Sequence, residues 1–466
     1  MRIWLLLLTA CAARPPAPLP PPVAQARAEY VVAIDAELEQ LTVDLCFPST
    51  VPARLIPGTP LGTERVRVVA RAGPKVEQTL TIEAGGVSLA GWPPGSCLRF
   101  EAEAAALEAA SGERFGTSDA RFLWPALWLW RPAAPPLDWS ATLRFDLPPG
   151  VKVSAPWPAD GEGVRTLNRS VLTTRARVVV GRFPQWIEEV AGSRLEVSAV
   201  GSLPAPSVLG PWVRASATGV AAIFGRFPRP EAQVLLIGEP GRGVIFGAAL
   251  RGGGPAVSLW VGTRSTAEDL RKDWTLSHEL FHLGMPWVPV EAAWFAEGIT
   301  QYYSHIAQAR AGSISAEVAW AELVDGFSRG RGSSRGQSVL AESEAMGQRH
   351  NYWWVYWGGA AWALGLDVAL RQRGRSLDEV LRHWNRHPCC DAPMSVAVLL
   401  AEGDRLVGEP TFSLKSLQAP DFPEVSSILA WLGVGERPGA LTLDPDARGA
   451  GVAGAIMGME SPARAR

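Results

Sequence analysis

His278 and His282 stand four residues apart in "WTLSHELFHLGMP" (274–286), with Glu279 beside the first histidine. On a helix that spacing sends both imidazoles from one face, where they can share one metal ion. Glu279 is then placed to reach a water on the metal rather than the metal itself. A catalytic zinc needs three protein ligands and one open position. Glu297, fifteen residues beyond His282, is the candidate for the third ligand, because it is embedded in the apolar run "WFAEGITQYYS" (294–304). A carboxylate there is costly to bury unless a cation compensates it. Two antiparallel helices joined by "LGMPWVPVEA" (283–292) would return it to the histidines, whereas Glu291, in that connector, is read as a group lining the cleft. The bland alternative is a helix carrying two solvated histidines.

The elements that must hold these residues begin near position 181. The stretch 206–228 reads as a helix, followed by strands "QVLLIGE" (233–239) and "AVSLWVG" (256–262). Between them "PGRGVIFGAALRGGGP" (240–255) reads as a glycine-rich loop and edge strand, and it lacks the GxxxxGK[ST] order of a phosphate loop. Helical patterns dominate 266–386, interrupted by "SRGRGSSRGQS" (328–338), read as a solvated basic connector. One short helix is expected at "VSSILAWLGVG" (425–435), and the Gly/Ala-rich residues 436–466 are expected to form a flexible tail. Upstream, residues 29–180 alternate apolar and polar residues in short runs broken by Gly and Pro. That pattern predicts an antiparallel, sandwich-like β domain ahead of a catalytic domain at 181–435. The whole is multidomain α+β.

An apolar fraction of 47% with 19% charged residues describes globular domains, and a net charge of −2 gives no basic footprint for nucleic acid. The twenty tryptophans read mainly as core. The N-terminus "MRIWLLLLTAC" carries one early arginine and a short apolar run, too short to span a bilayer. Leu8-Thr9-Ala10-Cys11 resembles the lipobox of bacterial lipoproteins. Residues 1–10 are therefore expected to be a signal peptide, Cys11 the acylated N-terminus, and 11–28 a proline-rich tether. That places the chain on a membrane, facing the periplasm or the cell surface. In an oxidising compartment the remaining four cysteines read as structural. Cys46 with Cys97 is the preferred disulfide, and Cys389 and Cys390 are either a vicinal pair or reduced.

The motif and the segment "WFAEGITQYY" together resemble the gluzincin metallopeptidases, especially the glycyl aminopeptidase family and more distantly the aminopeptidase N family. The likeness continues into "YWGGAAWALGLDVALRQRGRSLDEVLR" (356–382), where those families carry a Tyr-x-Lys-Gly-Ala stretch. It implies a thermolysin-like, mainly helical peptidase domain with one Zn2+ on His278, His282 and Glu297. It also implies Glu279 as general base, Tyr356 as hydrogen-bond donor to the oxyanion, and a peptide or protein as substrate. Aromatic packing is an equal reading of Tyr356, with Tyr352 and His350 in reserve. The chain departs from the pattern in three places. Gly358 replaces the lysine, the spacing from His282 to Glu297 is shorter than in aminopeptidase N relatives, and 240–267 contains no acid to hold a free amine. Two other readings stay open: an inactive envelope scaffold that keeps the fold, and a zinc hydrolase of non-peptide substrates.

Overall fold

The computed structural model describes residues 27–71, 77–112, 118–169, 176–250, 253–387, 393–437 and 440–459. The signal peptide, Cys11, most of the tether, and Cys389 and Cys390 lie outside the described residues. No helix among those described is long and apolar enough to cross a membrane.

The N-terminal part is built on a seven-stranded sheet. Its centre is Ala28–Ile34 beside Gln40–Cys46 and Cys97–Glu103, extended on one side by Arg67–Arg71 and Glu77–Thr79. On the other side stand Ser140–Asp146 and Arg165–Asn168. Period-two patterning does its expected work: Ala28, Tyr30, Val32 and Ile34 are buried while their neighbours are not. The sheet is not wholly antiparallel, because Ala28–Ile34 runs parallel to Ser140–Asp146. Two three-stranded sheets share its apolar core, which gathers Phe100, Trp128 and Trp130. Cys46 and Cys97 face each other across adjacent strands and are disulfide-bonded.

The second part starts with a five-stranded sheet in the order Gln185–Val190, Ser193–Val200, Glu231–Glu239, Ala256–Gly262, Val244–Leu250. The three central strands are parallel and both edges antiparallel. The helix Pro206–Phe224 makes the first crossover and stops at Gly225, whose φ of 78° supplies the left-handed C-cap. One face of this sheet packs against the helices, with Val197, Val234 and Val257 in their common core. Leu235 and Ile237 on the other face meet Phe122 and Val179 of the N-terminal part.

Three expectations from the sequence give way. The basic connector is partly helical, since Ala316–Gly332 runs through its first half. A helix at Val396–Val407 was not anticipated. The described residues beyond 436 are not a loose tail: Ala440–Leu443 pairs with Val434–Arg437, and Ala450–Ile456 docks with Ile456 buried. Arg310 donates two hydrogen bonds to the Ile456 carbonyl, which fixes that docking.

Candidate active site

The histidine helix, Thr275–His282, is anchored at its start by Asp273. One carboxylate oxygen accepts from the Thr275 amide at 2.8 Å, and the other accepts from the Val244 amide of the edge strand at 3.3 Å. The same strand closes over Glu279. A Cβ on Gly247 would lie 2.7 Å from the Thr275 methyl and 2.8 Å from the Glu279 side chain, so any larger residue there would displace them. His278, Glu279 and His282 are all buried.

After the connector the chain returns as the glutamate helix, Ala293–Arg310, which packs against the histidine helix. Glu297 Oε2 lies 3.3 Å from His278 Nε2 and 3.1 Å from His282 Nε2. These three ligand atoms all fall within 4.8 Å of one another. Burial acts to raise the Glu297 carboxyl; charge on His282 and hydrogen bonds from both imidazoles outweigh it and hold the group well below the usual carboxylate range. The glutamate is thus ionised, in a pocket whose partners are imidazoles.

The other edge of each ring fixes its tautomer. His278 Nδ1 lies 3.1 Å from Ser304 Oγ, and His282 Nδ1 lies 3.3 Å from Thr300 Oγ1. Each hydroxyl has one proton, and each donates it along the helix: Ser304 to the Thr300 carbonyl at 2.7 Å, Thr300 to the Ala296 carbonyl at 2.6 Å. Both oxygens can therefore only accept, so each Nδ1 carries hydrogen, and each Nε2 donates to Glu297 when the ring is protonated and is the atom left to offer a lone pair to an ion when the ring is neutral. Two lone pairs and one carboxylate oxygen converging in a buried site are a donor set for a divalent transition ion, and zinc fits it. The hydroxyls were not anticipated from sequence. Their signal was the spacing Glu297, Thr300, Ser304, which puts all three on one helix face.

Tyr356 lies on the helix Tyr352–Arg371, half-buried, three residues before Gly359. That helix crosses the glutamate helix where Gly298 meets Gly359: a Cβ on Gly298 would stand 2.5 Å from the Gly359 Cα. One on Gly359 would collide with the Trp294 carbonyl. The crossing thus brings the segments bearing Glu297 and Tyr356 together. The reserve residues are paired at the surface, His350 Nδ1 lying 3.0 Å from the Tyr352 hydroxyl, and Glu291 is exposed.

Farther along, the glutamate helix carries a second buried charge cluster. The Tyr302 hydroxyl donates to Asp367 at 3.0 Å, and that of Tyr303 donates to Asp378 at 2.7 Å. Arg371 binds Asp367 at 3.0 Å, Arg310 binds Asp378 at 2.8 Å, and the Leu377 amide also donates to Asp367 at 2.8 Å.

The resemblance read from the sequence is met by the comparisons. The family model of the M61 glycyl aminopeptidases matches residues 288–358, a span that includes Glu297 and Tyr356 and begins after the histidines. No curated protein sequence matches the chain. Among solved structures, an aminopeptidase N family protein from Idiomarina loihiensis is similar with a TM-score of 0.64 at 16% identity, over 87% of this chain and 78% of that one. An M1 zinc metallopeptidase from Deinococcus radiodurans, in a variant bound to the substrate Tyr-Ser-Ala, reaches a TM-score of 0.51 at 15% identity, over 85% of this chain and 94% of its own. At such identities the likeness is one of fold. The chain is thus similar to the gluzincin aminopeptidases, in fold to the solved structures and over residues 288–358 to the glycyl aminopeptidase model, and its architecture is multidomain α+β.

Proposed function

We propose that this chain is a zinc-dependent peptidase of the bacterial cell envelope, held to a membrane by a lipid on Cys11. His278, His282 and Glu297 hold one Zn2+, which supplies Lewis acidity toward the scissile carbonyl and a water nucleophile near neutral pH. Glu279, buried under the edge strand, accepts the proton of the attacking water and returns it to the leaving amine. Tyr356 donates a hydrogen bond to the carbonyl oxygen as charge develops on it. Thr300 and Ser304 keep both imidazoles in the tautomer this requires. The stretch 240–267 bears no carboxylate for a substrate's free amine, so cleavage within a peptide fits the cleft as well as removal of its first residue.

One observation carries the reading. Glu297 Oε2 lies within 3.3 Å of two imidazole nitrogens whose far edges are already occupied by hydroxyl acceptors. The disulfide between Cys46 and Cys97 supports export, since such bonds persist in oxidising compartments.

The test pairs metal analysis with turnover of a peptide library. Wild type should hold one zinc at this site and cut peptides. Glu279→Gln should keep the zinc and lose about 10²–10⁴-fold in kcat. A wild-type chain with zinc on His278, His282 and Glu297 that cuts no peptide would sink the peptidase reading. It would leave an envelope binding module or a hydrolase of another ester or amide. Detergent-phase partitioning that survives Cys11→Ala would remove the anchor.

A further inference from the structure

The ligand pattern of the active site occurs a second time. His278, His282 and Glu297 recur 105 positions later as His383, His387 and Glu402, with both spacings unchanged. The agreement extends beyond the ligands: Leu276, Ala296 and Gly298 return as Leu381, Ala401 and Gly403. Four of the chain's six histidines belong to these two pairs. The setting recurs too, because Leu377–Trp384 and Val396–Val407 are two helices joined by a connector.

The folded chain brings the second set together. Glu402 Oε2 lies 2.7 Å from His387 Nε2 and 3.8 Å from His383 Nε2, so one carboxylate oxygen again faces two imidazole nitrogens. The Trp384 indole donates to the Leu399 carbonyl at 3.0 Å and locks the two helices in this arrangement. The three side chains line a surface cavity of about 490 Å³, open enough for an ion to enter with its own waters. Their side chains are 30%, 28% and 17% exposed, in the order His383, His387, Glu402.

The two sets differ in ways that set the chemistry. Where Glu279 follows the first histidine of the active site, the buried Trp384 follows His383. A water on an ion there has no counterpart of Glu279 beside it among the described residues. The carboxylate oxygen also sits unequally between the two rings, 2.7 Å from His387 and 3.8 Å from His383, so His383 must turn about its side-chain bonds to close on an ion. Arg386 and Arg405 share the cavity and oppose a cation. Two imidazoles and one carboxylate suit Zn2+, Cu2+ or Ni2+ rather than Mg2+ or Ca2+, which take oxygen ligands.

We propose that His383, His387 and Glu402 form a second, non-catalytic transition-metal site that clips Leu377–Trp384 to Val396–Val407. Cys389 and Cys390 lie outside the described residues, and the proposal does not draw on them. The proposal stands apart from the peptidase reading, since none of its ligands belongs to the active site.

The test is a Zn2+ titration of the metal-free full chain against a chromophoric chelator, in a C389S/C390S background so that no thiol contributes. Two equivalents should bind, the second at least tenfold more weakly than the first. H387A and E402Q should each abolish the weaker equivalent and leave the stronger, whereas H282A should do the reverse. Saturation at the active-site equivalent alone, or a second equivalent that survives both H387A and E402Q, would overturn the proposal. Cu2+ loaded into an H278A/H282A chain gives a check that leaves the second site unmutated. Its electron paramagnetic resonance should show coupling to two equatorial nitrogens, and a spectrum without nitrogen coupling would likewise overturn it.

Discussion

The glutamate helix carries two buried charge clusters, one in each half, and they are built in opposite ways. Toward its C-terminus, Asp367 and Asp378 face Arg371 and Arg310, with tyrosine hydroxyls and a backbone amide as further donors to the carboxylates. Guanidiniums keep their charge at any working pH, so that cluster is closed within the protein. Toward its N-terminus, Glu297 faces imidazoles, which change charge and bind metals. The first arrangement locks three helical segments together; the second is a receptacle. Burial of charge alone does not separate them. The kind of base opposite each acid does.

The sharpest way to break the contrast is Arg371→Met, which leaves two buried aspartates with one guanidinium. Loss of about 3–5 kcal/mol in urea unfolding is expected, with zinc stoichiometry unchanged in the variant that remains folded. Loss of zinc at equal folded fraction would show that the clusters are one unit. Tyr356→Phe comes next. As an oxyanion donor the phenol is worth about 10²–10³ in kcat, read on the best library peptide, while an unchanged kcat would return Tyr356 to packing.

His305 is buried on the same helix, and burial depresses its pKa from 6.5 to about 4, against a hydrogen bond with Gln308 that acts the other way. Between those values the unfolded chain binds a proton that the folded chain refuses. Stability therefore falls as pH falls from 6.5 toward 4, by about 3 kcal/mol in all. His305→Gln should flatten that part of a plot of urea midpoint against pH, and an unaltered slope would assign the acid sensitivity elsewhere. The smallest effect belongs to Ser304→Ala. Without its acceptor, His278 should bind zinc about 10- to 100-fold more weakly, measured by chelator competition.

Much of the candidate site was legible because it is local. Two histidines at helical spacing and a glutamate in an apolar run announce themselves within 20 residues. The bracing cluster was not legible, because Tyr302 meets Asp367 across 65 positions and neither residue type marks the other. Alternation gave the buried face of Ala28–Ile34 but says nothing about which way its neighbour runs, so the parallel pairing with Ser140–Asp146 came only with the fold. The C-terminal segment misled for another reason. Its glycines looked like slack, yet Gly449 is there because the Trp431 ring and carbonyl leave no room for a Cβ.

The crossing of Gly298 and Gly359 has a mechanical consequence. It acts as a fulcrum with unequal arms: along the helix axes Glu297 sits about 1.5 Å from it and Tyr356 about 4.5 Å. Rocking of one helix on the other barely moves the carboxylate but swings the phenol. Thermal motion at the crossing is then spent on Tyr356, while Glu297 keeps its place beside His278 and His282.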